Sequence, residues 1–258
     1  MATLIISLTA FLAAILTFFS GFGLGTLLMP VFALFFPLDL AIALTGVVHF
    51  FNNLFKLALV GRHANRAVLL RFGVPAVLAA LLGSWLLLNI ADAAPLFTYS
   101  LLGNAFSVYP VKFTIALLLI LFAVMDLIPY FDRLQFSPRK LPLGGALSGF
   151  FGGLSGMQGA LRSAFLIKAG LSKEAFVGTA VVVSTFVDFT RIGVYATRFL
   201  QAGALHNNLS LVAAATASAI AGAYIGHKLL KKVTLRFLQL TVAIMLMAIG
   251  LALGAGWL

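Results

Sequence analysis

The sequence contains no cysteine, so disulfides and thiolate metal sites are excluded. Charge is nearly as scarce: 9% of the 258 residues are charged and only six are acidic, where a soluble domain carries about 25% charged residues. With 62% hydrophobic residues, a soluble fold is ruled out. The shortage of acids also weakens any enzymatic reading. No closely spaced acidic pair and no His/Glu metal motif falls within an apolar segment. No phosphate-binding loop is present, so nucleotide hydrolysis is not the direct energy source. The opening Met1-Ala-Thr-Leu lacks a basic flank, and no small-residue cleavage site follows, so the first apolar run is expected to be structure rather than a removed leader.

What is abundant is hydrocarbon-length apolar sequence, in eight segments: about 3 to 36, 40 to 61, 67 to 90, 111 to 131, 142 to 170, 173 to 200, 208 to 230 and 235 to 257. Runs of roughly 18 or more such residues read as membrane-spanning helices. Two segments are unusual. The first is too long for a single crossing and carries Ser20-Gly21-Phe22-Gly23-Leu24-Gly25 at its centre, with Pro30 soon after. The fifth carries Gly152-Gly153-Leu154-Ser155-Gly156-Met157-Gln158-Gly159. Glycine runs interrupt helices, and freed backbone is tolerated at membrane depth only where protein or a wet cavity surrounds it. Both segments are therefore expected to be hairpins broken near mid-membrane. Gly145, Gly149 and Gly153, and the Gly152/Gly156 pair, also fit close small-residue packing between helices.

Charge distribution tests the hairpins. If all eight segments cross once, the loop cations divide seven against seven and give no orientation. If segments one and five turn back, twelve of fourteen fall on one side and only Lys112 and Arg198 lie opposite. The positive-inside rule expects such asymmetry and accounts for most of the +11 net charge without invoking nucleic acid. Both termini then face the periplasm of an inner-membrane protein, and the halves, 1–131 and 132–258, become inverted repeats. Sequence echoes support the duplication: Ser20-Gly21 with Ser155-Gly156, Ala41-Ile-Ala-Leu-Thr45 with Ala175-Phe-Val-Gly-Thr179, Asn53 with Asp188, and Lys56 with Arg191. Residues 92 to 110 have no counterpart and are expected along the outer interface. The expected fold is all-α and polytopic, with each repeat beginning in a glycine-broken hairpin.

Of the seventeen Lys and Arg residues, fourteen fall in loops or at segment ends, leaving three within segments: Lys56, Arg162 and Arg191. An intramembrane cation costs about 2.5–3.5 kcal/mol even on lenient scales, so each marks a candidate site. His49, Asn52, Asn53 and Lys56 fall on one helical face, and Ser184, Asp188, Arg191 and Tyr195, with Thr185 one step around, fall on another. Either these faces form a site or they are interhelical glue. Lys56 either supports the site or extends to the interface. Asp188 and Arg191 either serve function or neutralise each other. Arg162 follows the second break, where a returning half-helix would present free N–H groups and a planar donor fork to an anion. Gln158, in that turn, either ligates substrate or satisfies freed backbone. Arg162, Gln158, Asn52, Asn53, Arg191, Gly23 and Gly156 are thus the candidate substrate-binding residues. Asp188 and His49 are the candidates for proton or sodium coupling, and Lys56, Ser184, Thr185 and Tyr195 are supporting.

The first break through Pro30, the Ala41-to-Thr45 stretch, Asn52-Asn53, and their echo from Gly152 to Asp188 together resemble the TauE/SafE sulfite exporter family over nearly the whole chain. The resemblance implies a cofactor-free permease with duplicated halves, handling sulfite, organosulfonates or related sulfur anions. The second break departs from the usual pattern, since Gln158 and Arg162 replace small or apolar residues. Secondary transport by alternating access is the leading expectation. A passive channel, a membrane-embedded enzyme and a scaffold subunit are the alternatives, and homo-oligomerisation stays open.

Overall fold

The computed structural model describes residues 1–18, 23–128, 135–199, 207–229 and 235–258. Among these residues the helices are α1 (Ala2–Thr17), α2 (Leu24–Ala33), α3 (Leu38–Val60), α4 (Arg66–Ala91), α5 (Pro110–Leu127), α6 (Leu141–Ser155), α7 (Gly159–Leu166), α8 (Lys173–Phe199), α9 (Leu209–Leu229) and α10 (Leu235–Gly254). Local chemistry sets several boundaries. Pro37 precedes α3 and Asp39 occupies its first turn, where a negative charge meets the positive end of the helix. Pro110 opens α5, a position where its missing N–H is not needed. Gly156, at φ +80°, ends α6 in a left-handed conformation that favours glycine. Within α4, Leu69–Gly73 forms a π-helical turn.

Among the described residues, four helices are long and apolar enough to cross a membrane: Leu38–His63, Arg66–Ala91, Lys173–Ala196 and Leu209–Lys228. Large side chains such as Leu78, Leu82, Trp85, Phe186, Phe189 and Ile244 face outward and exposed, the surface a lipid solvent requires. The two glycine-rich segments are each split, as α1/α2 and α6/α7, and the halves of each pair pack together.

Helix packing repeats itself. The helix α4 lies along α6 as α9 lies along α1, and α8 touches α4 as α3 touches α9. The pairs α3/α8 and α5/α10 pack directly on each other. The most extensive of these contacts therefore correspond when each of α1–α5 is exchanged for the helix five places later, whereas α2 on α10 and α6 on α8 have no counterpart of similar extent among the described residues. The proposed boundary at 131/132 lies outside the described residues. Small residues make the closest seams. A Cβ on Gly145, Gly149 or Gly153 would stand 2.1, 1.9 or 2.3 Å from the carbonyl oxygens of Phe72, Ala76 and Ala80. On the other seam, Gly222 and Gly226 would meet the carbonyls of Phe11 and Ile15 at 2.3 and 2.8 Å. Backbones approach this closely only because no side chain intervenes.

One element departs from the all-helical expectation. Residues Phe97–Leu101 (β1) pair antiparallel with Asn104–Val108 (β2), from Phe97 opposite Val108 to Leu101 opposite Asn104. The two-residue turn places Leu102 at φ +53° and Gly103 at φ +82°, the positive values that a hairpin twist demands. The Tyr99 hydroxyl donates to the Ala255 carbonyl at 2.6 Å, tying the hairpin to the end of α10.

Candidate functional site

The polar faces of α3 and α8 meet in the interior. Asp188 is fully buried, and its carboxylate receives donors on both oxygens. Arg191 approaches Oδ1 with Nε at 3.0 Å and Nη2 at 2.8 Å. His49 Nδ1 lies 2.6 Å from Oδ2, and Asn53 Nδ2 donates to the same oxygen at 2.9 Å. Because His49 Nδ1 faces a carboxylate oxygen, the network assigns its proton to that nitrogen. Asp188 and Arg191 do pair, but the pair is shared across helices rather than confined to α8.

The glycines admit this cluster to the helix breaks. A Cβ on Gly46 would stand 3.3 Å from the Arg191 Cζ, and one on Gly156 would stand 2.7 Å from Arg191 Nη1. A Cβ on Gly25 would lie 3.4 Å from the Gly156 carbonyl oxygen. The first turn of α2 and the α6/α7 turn therefore meet beside the α3/α8 cluster. Gly23, at φ +113°, begins α2, and its carbonyl accepts from Leu27 N at 3.0 Å and from Thr26 Oγ1 at 2.9 Å. Ser20 to Phe22 of the first break lie outside the described residues.

In the first turn of α7, Arg162 is buried and donates through Nη1 to the Ser184 hydroxyl. It is thus held to α8, not left alone. The Gln158 backbone carbonyl accepts from Arg162 N and Ser148 Oγ, each at 3.0 Å. Its side-chain amide satisfies no freed backbone: both of its polar atoms are buried without a hydrogen-bond partner. Asn52 is alike, with both amide atoms buried and unpartnered, and Arg191 Nη1 has no hydrogen-bond partner among the described residues. Leaving such a group unsatisfied costs about 1–3 kcal/mol.

The packing bears on the readings left open for two further residues. Lys56 does not extend to the interface; it is 6% exposed, with Nζ 5.4 Å from the Phe18 ring centroid. Thr185 stays outside the cluster, donating within its own helix to the Val181 carbonyl at 2.8 Å. Tyr195 supports the site from the side, donating to the Gly153 carbonyl just before the second break. The sequence reading missed Thr45, whose Oγ1 is buried without a partner one turn before His49, and Gly46, which makes room for Arg191. Their spacing on the His49 face was the available signal.

A cavity of about 10 Å³ adjoins the cluster, lined by residues including Phe18, His49, Asn53, Lys56 and Ser184. That is room for about one water. The larger space, about 310 Å³ between α4 and α8 beside the π-turn, is lined only by Leu, Val, Phe and Gly side chains and contains no polar group suited to an anion.

The family model for the sulfite exporter TauE/SafE matches residues 6–253. The chain belongs to the sulfite exporter TauE/SafE family. It is a multi-pass membrane protein of a family of transporters for sulfur-containing anions. No curated protein and no solved structure matches it.

Proposed function

We propose that this TauE/SafE protein is a secondary transporter that moves sulfite, an organosulfonate or a related sulfur oxyanion across the inner membrane by alternating access. The anion sits at the α6/α7 turn, between Arg162, Arg191, Gln158 and Asn52, with Asn53 and the break glycines Gly23 and Gly156 completing the surroundings. The observation that carries this reading is the set of buried amides, Gln158 and Asn52, without hydrogen-bond partners among the described residues, on the same helix faces and turn as the buried Arg162 and Arg191. Amide N–H groups and guanidinium forks are the donors that an oxyanion accepts from. Charge agrees: the cluster holds Lys56, Arg162 and Arg191 against the single carboxylate of Asp188. Such an excess of positive charge in a low-dielectric interior favours an anion.

Proteoliposomes containing the purified protein, loaded with sulfite, thiosulfate or methanesulfonate, should show saturable counterflow of the same anions. Unsaturable ionic conductance would favour the channel, and no movement of any of them would overturn the assignment.

A further inference from the structure

We infer that Asp188 is an internal stand-in for the cargo anion, and that a proton delivered through His49 releases Arg191 from it, so that one proton is bound with each anion. This rests on the transporter reading above. Arg191 presents Nε and Nη2 to Asp188, while Nη1 reaches the Gly156 turn, where an added Cβ would stand 2.7 Å from it. A cargo oxyanion at that turn and the Asp188 carboxylate therefore compete for one guanidinium. They also repel each other across a few ångströms of buried protein. Neutralising Asp188 removes the repulsion and frees the fork.

A route for the proton is present. The His49 ring lines the one-water cavity, and its Nδ1–H already points at Asp188 Oδ2. His49 takes a proton at Nε2 from water and passes its Nδ1 proton to Oδ2. The products are a neutral imidazole protonated on Nε2 and a neutral carboxyl whose O–H donates back to Nδ1. Asn53 shares Oδ2 and holds the geometry in both states. The other charged or titratable groups facing the cluster are Lys56 from α3, Arg162 from α7, and Arg191 and Tyr195 from α8; α2 and α6 contribute only Gly25 and Gly156 at this point. Lys56 is the rival proton carrier, and the test separates it.

The test uses the full-length protein in nanodiscs, with thiosulfate and methanesulfonate as probes because their charge is constant across the range where histidine titrates, about pH 5 to 8. Expected is an affinity that rises toward low pH by up to about tenfold per pH unit, the slope of one linked proton. Adding either probe to weakly buffered wild-type protein should also draw about one proton per site from solution. Asp188→Asn should lose the slope and the proton uptake together, and Lys56→Met should keep both. Wild-type binding with a flat pH profile and no proton uptake would overturn the coupling while leaving anion transport standing. So would a slope that persists in folded Asp188→Asn or vanishes in Lys56→Met. Should Asp188→Asn fail to fold, the wild-type proton count still decides. If wild type binds neither probe nor sulfite, the transport reading itself falls, and the coupling with it.

Discussion

Single side chains in this protein are placed against stability, which makes their function separable from their structural role. Arg162→Ala removes charge and fork together, whereas Arg162→Lys keeps charge without planar geometry. Hydrogen bonds to charged groups contribute about 1.5–3 kcal/mol, so the alanine variant should bind roughly ten- to a hundredfold more weakly, with lysine between. Binding titrations on purified protein, paired with melting curves, read this. Unchanged affinity in folded Arg162→Ala would shift the main role to Arg191. Gln158 and Asn52 predict the opposite trade. Gln158→Leu replaces an unpartnered buried amide by an apolar group, so the melting temperature should hold or rise while affinity drops at least about tenfold. Joint loss of stability and affinity would return Gln158 to a structural role. The candidate residues were legible because polar groups are rare in apolar helices and share a face at helical spacing. Their partners were not. That His49 reaches Asp188, 139 positions away, and that Lys56 turns inward onto Phe18 depend on tertiary packing, which spacing along one helix does not encode.

At the level of elements, the breaks were readable because clustered glycines interrupt a helix, and the Gly156 φ of +80° shows the backbone using that freedom. The β1/β2 hairpin was not foreseen: the stretch was read only as an interfacial loop, and its turn places Leu102, not the usual Asn or Gly, at positive φ. The π-turn at Leu69–Gly73 has no sequence mark that we can name. The glycine seams were visible as spacing, but which helix they touch was not. Gly149 gives the sharpest test, since its added Cβ would come within 1.9 Å of the Ala76 carbonyl oxygen. Gly149→Ala should destabilise the α4/α6 contact by about 1–3 kcal/mol, the ordinary range for overpacking. Gly193, on α8, has nothing within 4 Å of an added Cβ and serves as the control. Gly193→Ala should be neutral or stabilising by up to about 1 kcal/mol through helix propensity. Equal melting temperatures for the two variants would mean that the α4/α6 seam is not as tight as its geometry.

Across the whole molecule, the most extensive helix contacts of α1–α5 have counterparts among α6–α10, α1 on α9 with α6 on α4 and α3 on α9 with α8 on α4. The contacts of α3 on α8 and α5 on α10 join helices that correspond under this exchange, and the first of them carries the Asp188 cluster. If the halves are inverted in the bilayer, each outward-open arrangement has an inward-open mirror of similar energy. Reporter fusions should then place both termini in the periplasm and the basic loop around Arg62 to Arg71 in the cytoplasm; a cytoplasmic C-terminus would remove the inversion. The absence of cysteine allows a direct test of alternation, because any introduced thiol is the only one. Val181 lines the one-water cavity and is buried. Val181→Cys should be modified by a membrane-impermeant thiol reagent in vesicles of either orientation, slowly, since each opening exposes it only part of the time. Saturating sulfite should slow modification from both sides, because cargo in the closed site withdraws the protein from both open forms. Modification from one side only, or protection on one side only, would show that the cavity opens to a single face and would leave the symmetric packing without a transport role.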